Sequence, residues 1–118
     1  MFKLRSVPRT ELATQELADK FVNMEAAPQD RPLSERRVRV YEQLWHDGLF
    51  RTCTWALGYC VETDCEYRVN GKHTSIMLSG LIKKGDRKTK DYYVTIEEYL
   101  CPTLEDVARL YATFDNKM

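Results

Sequence analysis

The strongest constraint on the fold of this chain is a hydrophobic period that changes twice along the sequence. Before Gly48 the apolar residues recur at helical spacing, whereas from Phe50 to Val61 they alternate with small or polar residues, as in a strand. The helical period returns after Gly71. Because both periods occur in one chain of 118 residues, the sequence predicts an α+β domain, a small mixed sheet flanked by helices.

Caps and breakers place the ends of the predicted elements. Ser34 is typical of a helix N-cap and Gly48 of a helix end, while Thr103 followed by Asp106 has the pattern of a capping box. Asn70-Gly71 ends a strand that forms a hairpin with the preceding one. The predicted order is α-α-β-β-α-β-α, with a helix at 11–24 capped by Thr10, a helix at 34–46, strands at 50–61 and 66–69, a helix at 73–82, a strand at 91–100 and a helix from 103.

These elements form a single domain over residues 1–118. Residues 1–49 are expected to contribute two N-terminal helices, and residues 50–115 a core that carries the most distinctive motif. No stretch approaches the ~20 apolar residues of a membrane span, and no secretory signal is evident. We therefore expect a cytoplasmic protein without a membrane partner, whose four cysteines are reduced thiols.

Charge argues against a protein that coats nucleic acid, since Lys+Arg 18 balance Asp+Glu 18. Two local basic runs remain, and the default interpretation of each is a solvated surface. One is Arg36, Arg37 and Arg39 on the second predicted helix. The other surrounds Gly85 and supplies candidate nucleic-acid contacts at Lys83, Lys84, Arg87, Lys88 and Lys90.

The segment from Tyr67 to Thr74 is a strand that breaks at a glycine directly into a helix. Such a corner leaves backbone N–H groups unpaired at the positive end of the helix dipole, so it can bind anions. Lys72, His73 and Thr74 would add an ammonium, an imidazole and a hydroxyl. Asn-Gly is also a common turn dipeptide, so an ordinary turn is the alternative interpretation.

Tyr-Arg-Val-Asn-Gly-Lys-His-Thr, with the apolar helix that ends near Gly80, resembles the phosphate-binding turn of the ParB/sulfiredoxin superfamily. The form Asn/Asp-Gly-Gln-His-Thr/Arg of phage and plasmid relatives is the most similar, and the likeness extends from Phe50 to Asp115. The resemblance implies a site for ATP or CTP, with Mg²⁺ as a candidate companion. The residues it implies as lining the phosphates are Gly71, Lys72, His73 and Thr74, with Asn70 shaping the turn.

Two departures from the superfamily pattern bear on activity. Lys72 occupies the position of the catalytic cysteine of sulfiredoxin, which excludes reduction of a sulfinic acid there. His73 and Thr74 replace the two arginines of ParB proteins. The resemblance therefore implies a nucleotide-binding domain of phage or plasmid type, with weak NTPase or nuclease activity linked to DNA left open. The alternative is a non-catalytic interaction or inhibitor protein of a mobile element that regulates a host protein.

Metal sites are not predicted from the sequence. Cys53, Cys60 and Cys65 with His46 do not have the spacing of a structural zinc site. Hydrolysis would need a divalent cation to neutralise the phosphates, and the sequence ranks no carboxylate above the others as its ligand. The candidates are Glu42, Asp47, Asp64, Glu66, Glu97 and Glu98.

Overall fold

A mixed six-stranded sheet with helices on both faces forms the frame of the protein. The computed structural model describes residues 1–115, so the last three residues of the predicted domain lie outside the described residues. A short 3₁₀ helix at Arg87–Asp91 precedes the last strand. The other elements are β1 (Lys3–Leu4), β2 (Arg9–Leu12), α1 (Gln15–Asn23), β3 (Glu25–Ala26), α2 (Glu35–His46), β4 (Thr54–Cys60), β5 (Cys65–Asn70), α3 (Lys72–Lys83), β6 (Tyr93–Cys101) and α4 (Leu104–Phe114).

The strand β4 is the centre of the sheet. The strand order is β1-β6-β4-β5-β3, and β2 also pairs with β6. β4 runs parallel to β6, with Trp55 opposite Ile96, and antiparallel to β5, with Leu57 opposite Arg68. Because β4 has neighbours on both edges and helices on both faces, Trp55, Ala56 and Leu57 are all fully buried.

Two hydrophobic cores lie on opposite faces of the sheet. On one face, Phe21 of α1, Trp45 of α2 and Leu78 of α3 belong to one buried cluster with Trp55 and Leu57 of β4. On the other face, the residues of α4 that enter the core are Val107 and Leu110, which pack with Ala56, Cys60 and Cys101. Within residues 1–115, no helix combines the length and the apolar character needed to cross a membrane.

The α+β class, the mixed sheet and several element ends are confirmed. The side chain of Ser34 caps α2 by accepting from the N–H of Arg37, and Gly48 follows this helix with a φ of 72°. The capping box between Thr103 and Asp106 begins α4. β4 and β5 form the predicted antiparallel hairpin, although β4 begins at Thr54 rather than Phe50.

The predicted helix at 11–24 is wrong at its start. Residues Arg9–Leu12 form β2, antiparallel to β6, and the helix begins one turn later, with Thr14 rather than Thr10 as its N-cap. The open edge of β6 pairs with this segment, and that pairing outweighs local helical propensity. The predicted order is also incomplete, because it lacks the short strands β1, β2 and β3.

Candidate anion-binding site

Gly71 forms the corner between β5 and α3 and acts as the N-cap of α3, with a φ of 109°. A Cβ atom at this position would lie 2.5 Å from Cδ1 of Trp55, which is fully buried. The left-handed backbone and the close contact each make a side chain at this position costly. No side chain in residues 1–115 caps the first turn of α3, so its N–H groups remain available to an anion.

Two adjoining cavities of about 240 and 210 Å³ open at this corner. The larger one is lined by four basic side chains but only one carboxylate, which belongs to Asp115. The four basic residues are Arg31, Arg37, Arg68 and Lys72. The structure brings all five motif residues, 70–74, to the wall of the smaller cavity. The predicted corner is therefore part of a polar cavity with an excess of positive charge.

Lys72 and Arg68 are already engaged in internal contacts. Nζ of Lys72 donates to the carboxylate of Asp30 at 3.1 Å and to the backbone carbonyl of Arg31, and its side chain is only 14% exposed. Arg68 donates to the carbonyls of Phe21, at 2.6 Å, and of the next residue, at the end of α1. Burial lowers the pKa of the Arg68 guanidinium, against the opposing effect of Asp30, 3.7 Å away. Both cations thus hold the cavity wall together.

His73 joins the beginnings of two helices. Its Nε2 accepts the backbone N–H of Ser34, the N-cap of α2, at 3.0 Å. An accepting Nε2 carries no proton, so the proton of the ring is assigned to Nδ1. Burial lowers the pKa of His73, and the positive charges of Arg37 and Lys72 lower it further. The imidazole is therefore neutral near pH 7 and fastens α2 to α3.

The remaining motif side chains also build the corner. Thr74 Oγ1 accepts the indole N–H of Trp55 at 2.8 Å, and Asn70 Nδ2 donates to the carbonyl of Thr54 at 2.7 Å. These bonds tie α3 and the end of β5 to β4. Most of the polar side chains predicted to contact a ligand thus form internal hydrogen bonds that position the backbone of the turn.

Three further residues belong to the site although the sequence motif did not point to them: Arg31, Arg37 and Tyr41. They arrive from the loop before α2 and from α2 itself, and all three line the larger cavity. A signal for Arg37 exists in the sequence, because it lies four residues before Tyr41 and shares that inward helix face. Arg36, Arg37 and Arg39 taken together are typical of a solvated helix surface, so the inward position of Arg37 was not predicted.

The basic loop from Lys83 to Lys90 lies at the opposite end of α3. The 12 residues of α3 separate it from Gly71 by roughly 18 Å. Nζ of Lys88 donates to the backbone carbonyl of Trp45 at 2.8 Å and lies 5.4 Å from the centre of the Trp45 indole ring. Nζ of Lys83 lies 4.0 Å from the carboxylate of Asp19. The structure therefore does not bring the candidate nucleic-acid contacts to the anion corner. Lys84, Arg87 and Lys90 are exposed.

A third, mostly apolar groove of about 310 Å³ adjoins the smaller cavity. Tyr41, Leu44, Leu49 and Phe50 line it, and Cys53 lies between the two spaces. Burial raises the pKa of the Cys53 thiol, so this cysteine is not an activated nucleophile.

The residues at the corner do not fit a protein-bound Mg²⁺. Among residues 1–115, no three His, Cys, Asp or Glu side chains are placed to hold a metal ion. The one carboxylate on the larger cavity, that of Asp115, lies 3.2 Å from Arg31. Glu98, one of the carboxylates considered from the sequence, is paired with Arg5 at 3.0 Å and Arg9 at 2.8 Å. The described cysteines are free thiols.

Comparison of the chain with protein-family models, curated proteins and solved structures gives no match. The geometry of the corner and the likeness of its motif are therefore the features that bear on function.

Proposed function

We propose that this protein binds a nucleotide, ATP or CTP, at the corner from Gly71 to Thr74, as a ParB-like domain of phage or plasmid type. The observation that carries the proposal is the larger cavity, where four basic side chains and one carboxylate lie beside an uncapped helix N-terminus. Backbone N–H groups and guanidinium groups are the usual protein partners of phosphate.

Different parts of the site would contact the phosphates and the nucleobase of the ligand. The N–H groups of the first turn of α3 receive the phosphates beside the basic lining of the larger cavity, while Lys72, Arg68 and His73 hold the walls in place. The apolar groove beside Tyr41 and Phe50 is suited to the nucleobase, because it adjoins the smaller cavity and presents aromatic and aliphatic surface.

Binding without turnover is the activity we propose. Hydrolysis of a triphosphate needs a group that positions or deprotonates the attacking water, and usually a cation on the phosphates. His73 is engaged with Ser34, and the corner lacks the oxygen ligands for Mg²⁺ among the described residues. NTPase or nuclease activity linked to DNA would require a group from outside this corner. A cytoplasmic location, where nucleotides are abundant and thiols reduced, belongs to the same proposal.

Calorimetric titration tests the proposal. The protein is titrated with ATP, CTP and GTP, with and without Mg²⁺, and with inorganic tripolyphosphate to isolate the contribution of the base. Saturable binding that weakens in Lys72→Ala and His73→Ala, but not in the charge-matched control Lys84→Ala at the far end of α3, supports it. An absence of binding by every nucleotide at millimolar concentration refutes it.

One observation favours the alternative, a non-catalytic interaction or inhibitor protein that regulates a host protein. All three polar motif side chains after Gly71 make internal bonds, which suits a corner with a purely structural role. Apolar residues of and around α2 are also exposed: Leu33 at 48%, Val40 at 50% and Leu49 at 64%. This alternative predicts that titration with nucleotides shows no binding. It also predicts that replacing Val40 and Leu49 by serine abolishes the complex with the host protein.

A further inference from the structure

We infer that Arg37, and not the lysine of the motif, is the side chain that holds the anion at this site. The inference rests on the proposed function, because it names the residue that contacts the phosphate. It differs from the expectation drawn from the motif, in which Lys72 was the cation beside the glycine.

Three of the four basic side chains on the larger cavity are occupied by other groups. Lys72 contacts Asp30 and a backbone carbonyl, and Arg68 contacts two carbonyls at the end of α1. Arg31 pairs with Asp115 at 3.2 Å and is also held through its backbone N–H. A ligand that recruited any of these cations would have to displace an existing partner, and that exchange would cancel much of the gain.

Arg37 is differently placed. Its backbone N–H donates to Ser34 Oγ at 3.1 Å, which fixes its position in the first turn of α2. Its guanidinium makes no hydrogen bond or ion pair with another side chain or backbone group of residues 1–115, and the residue is partly buried. It lines both polar cavities, and its charge contributes to lowering the pKa of His73. A partly buried guanidinium without a counter-charge gains from an anion that fills the cavity.

The chemistry of this side chain specifies the ligand. A guanidinium presents parallel N–H groups that match two oxygens of a phosphate, whereas an ammonium acts as a single point charge. We therefore expect the site to prefer phosphoryl groups over chloride or a simple carboxylate. A lysine at position 37 should keep the charge and lose part of this preference.

The experiment compares variants of the full chain in titrations with tripolyphosphate and with ATP. Arg37→Gln is expected to weaken both by roughly 10-fold or more, as for loss of a hydrogen bond to a charged group. Arg36→Gln is the matched control, because it removes the same charge from the same helix at an exposed position that lines neither cavity. Its affinity should stay within about 2-fold of the native protein, as expected for an exposed charge. Arg37→Lys should lie between Arg37→Gln and the native protein.

Thermal unfolding without ligand separates a binding role from a structural one. Arg37→Gln should have the same midpoint temperature of unfolding as the native protein, since the Arg37 guanidinium holds no other group in place. Lys72→Gln should have a lower midpoint, because it loses the bond between Lys72 and Asp30. If the native protein binds phosphate and Arg37→Gln binds it equally well, the inference is overturned while the proposed function stands. If the native protein binds neither ligand, both are overturned.

Discussion

Replacing Gly71 by alanine is the most direct perturbation of the corner. The new Cβ would lie 2.5 Å from Cδ1 and 2.9 Å from Cγ of Trp55, and the backbone would keep a φ of 109°. Trp55 is fully buried in the main core and donates to Thr74, so it has little room to move. Left-handed backbone costs roughly 1–2 kcal/mol for a residue with a side chain, and overpacking about 1–3 kcal/mol more.

The sum, roughly 2–5 kcal/mol, is a large fraction of the ~5–15 kcal/mol that stabilises an ordinary domain. At about 4 °C per kcal/mol, the midpoint of thermal unfolding should fall by roughly 8–20 °C. Circular dichroism during heating and urea titration measures this change. Gly80→Ala, in the same helix, is the control, because a Cβ there meets nothing within 4 Å. Its stability should be unchanged or higher, and a Gly71→Ala protein as stable as the native one would refute the reasoning.

Two further predictions concern the wall of the site. Because the pKa of His73 is lowered in the folded state, the unfolded chain takes up protons more readily, so the free energy of unfolding should fall as pH drops below about 6.5 and level off below the folded pKa. Urea titrations between pH 7.5 and 5 should show that the free energy of unfolding decreases less in His73→Gln than in the native protein or in the control His46→Gln. Equal decreases in the three proteins would contradict this prediction. Asp30→Asn removes the counter-charge of one buried and one partly buried cation, Arg68 and Lys72, and should lower the free energy of unfolding by about 3 kcal/mol. The expected loss is about 0.5 kcal/mol or less for Glu105→Gln, which changes a 73% exposed carboxylate. Equal urea midpoints for these two variants would rule out that role for Asp30.

The parts of the fold that could be predicted from sequence are those with local causes. The caps Ser34 and Thr103 bond to residues three positions ahead, and the glycine at position 71 marks its own turn. The short strands β1, β2 and β3 have no comparable signal. They are two to four residues long and form because the edges of β6 and β5 offer backbone partners, which a local pattern does not reveal.

The same distinction applies to the site. The sequence could place the left-handed glycine and the helix start, but not the partners of the side chains that follow. Lys72 bonds to a carboxylate 42 positions earlier, His73 to an N–H 39 positions earlier and Thr74 to an indole 19 positions earlier. Helical spacing places Arg37 on the same face of α2 as Tyr41, but only tertiary packing brings that face to the cavity.

These internal bonds explain how the proposed site would bind without catalysing. The motif side chains fix the wall and leave the ligand to backbone N–H groups and to Arg37. A corner held in this way loses little conformational freedom when an anion enters, which favours affinity. The bond from the Ser34 N–H to Nε2 also prevents His73 from acting as a general base, because protonation of Nε2 would break it. Within the proposed function, Lys72, His73 and Thr74 therefore give the corner rigidity rather than catalytic chemistry.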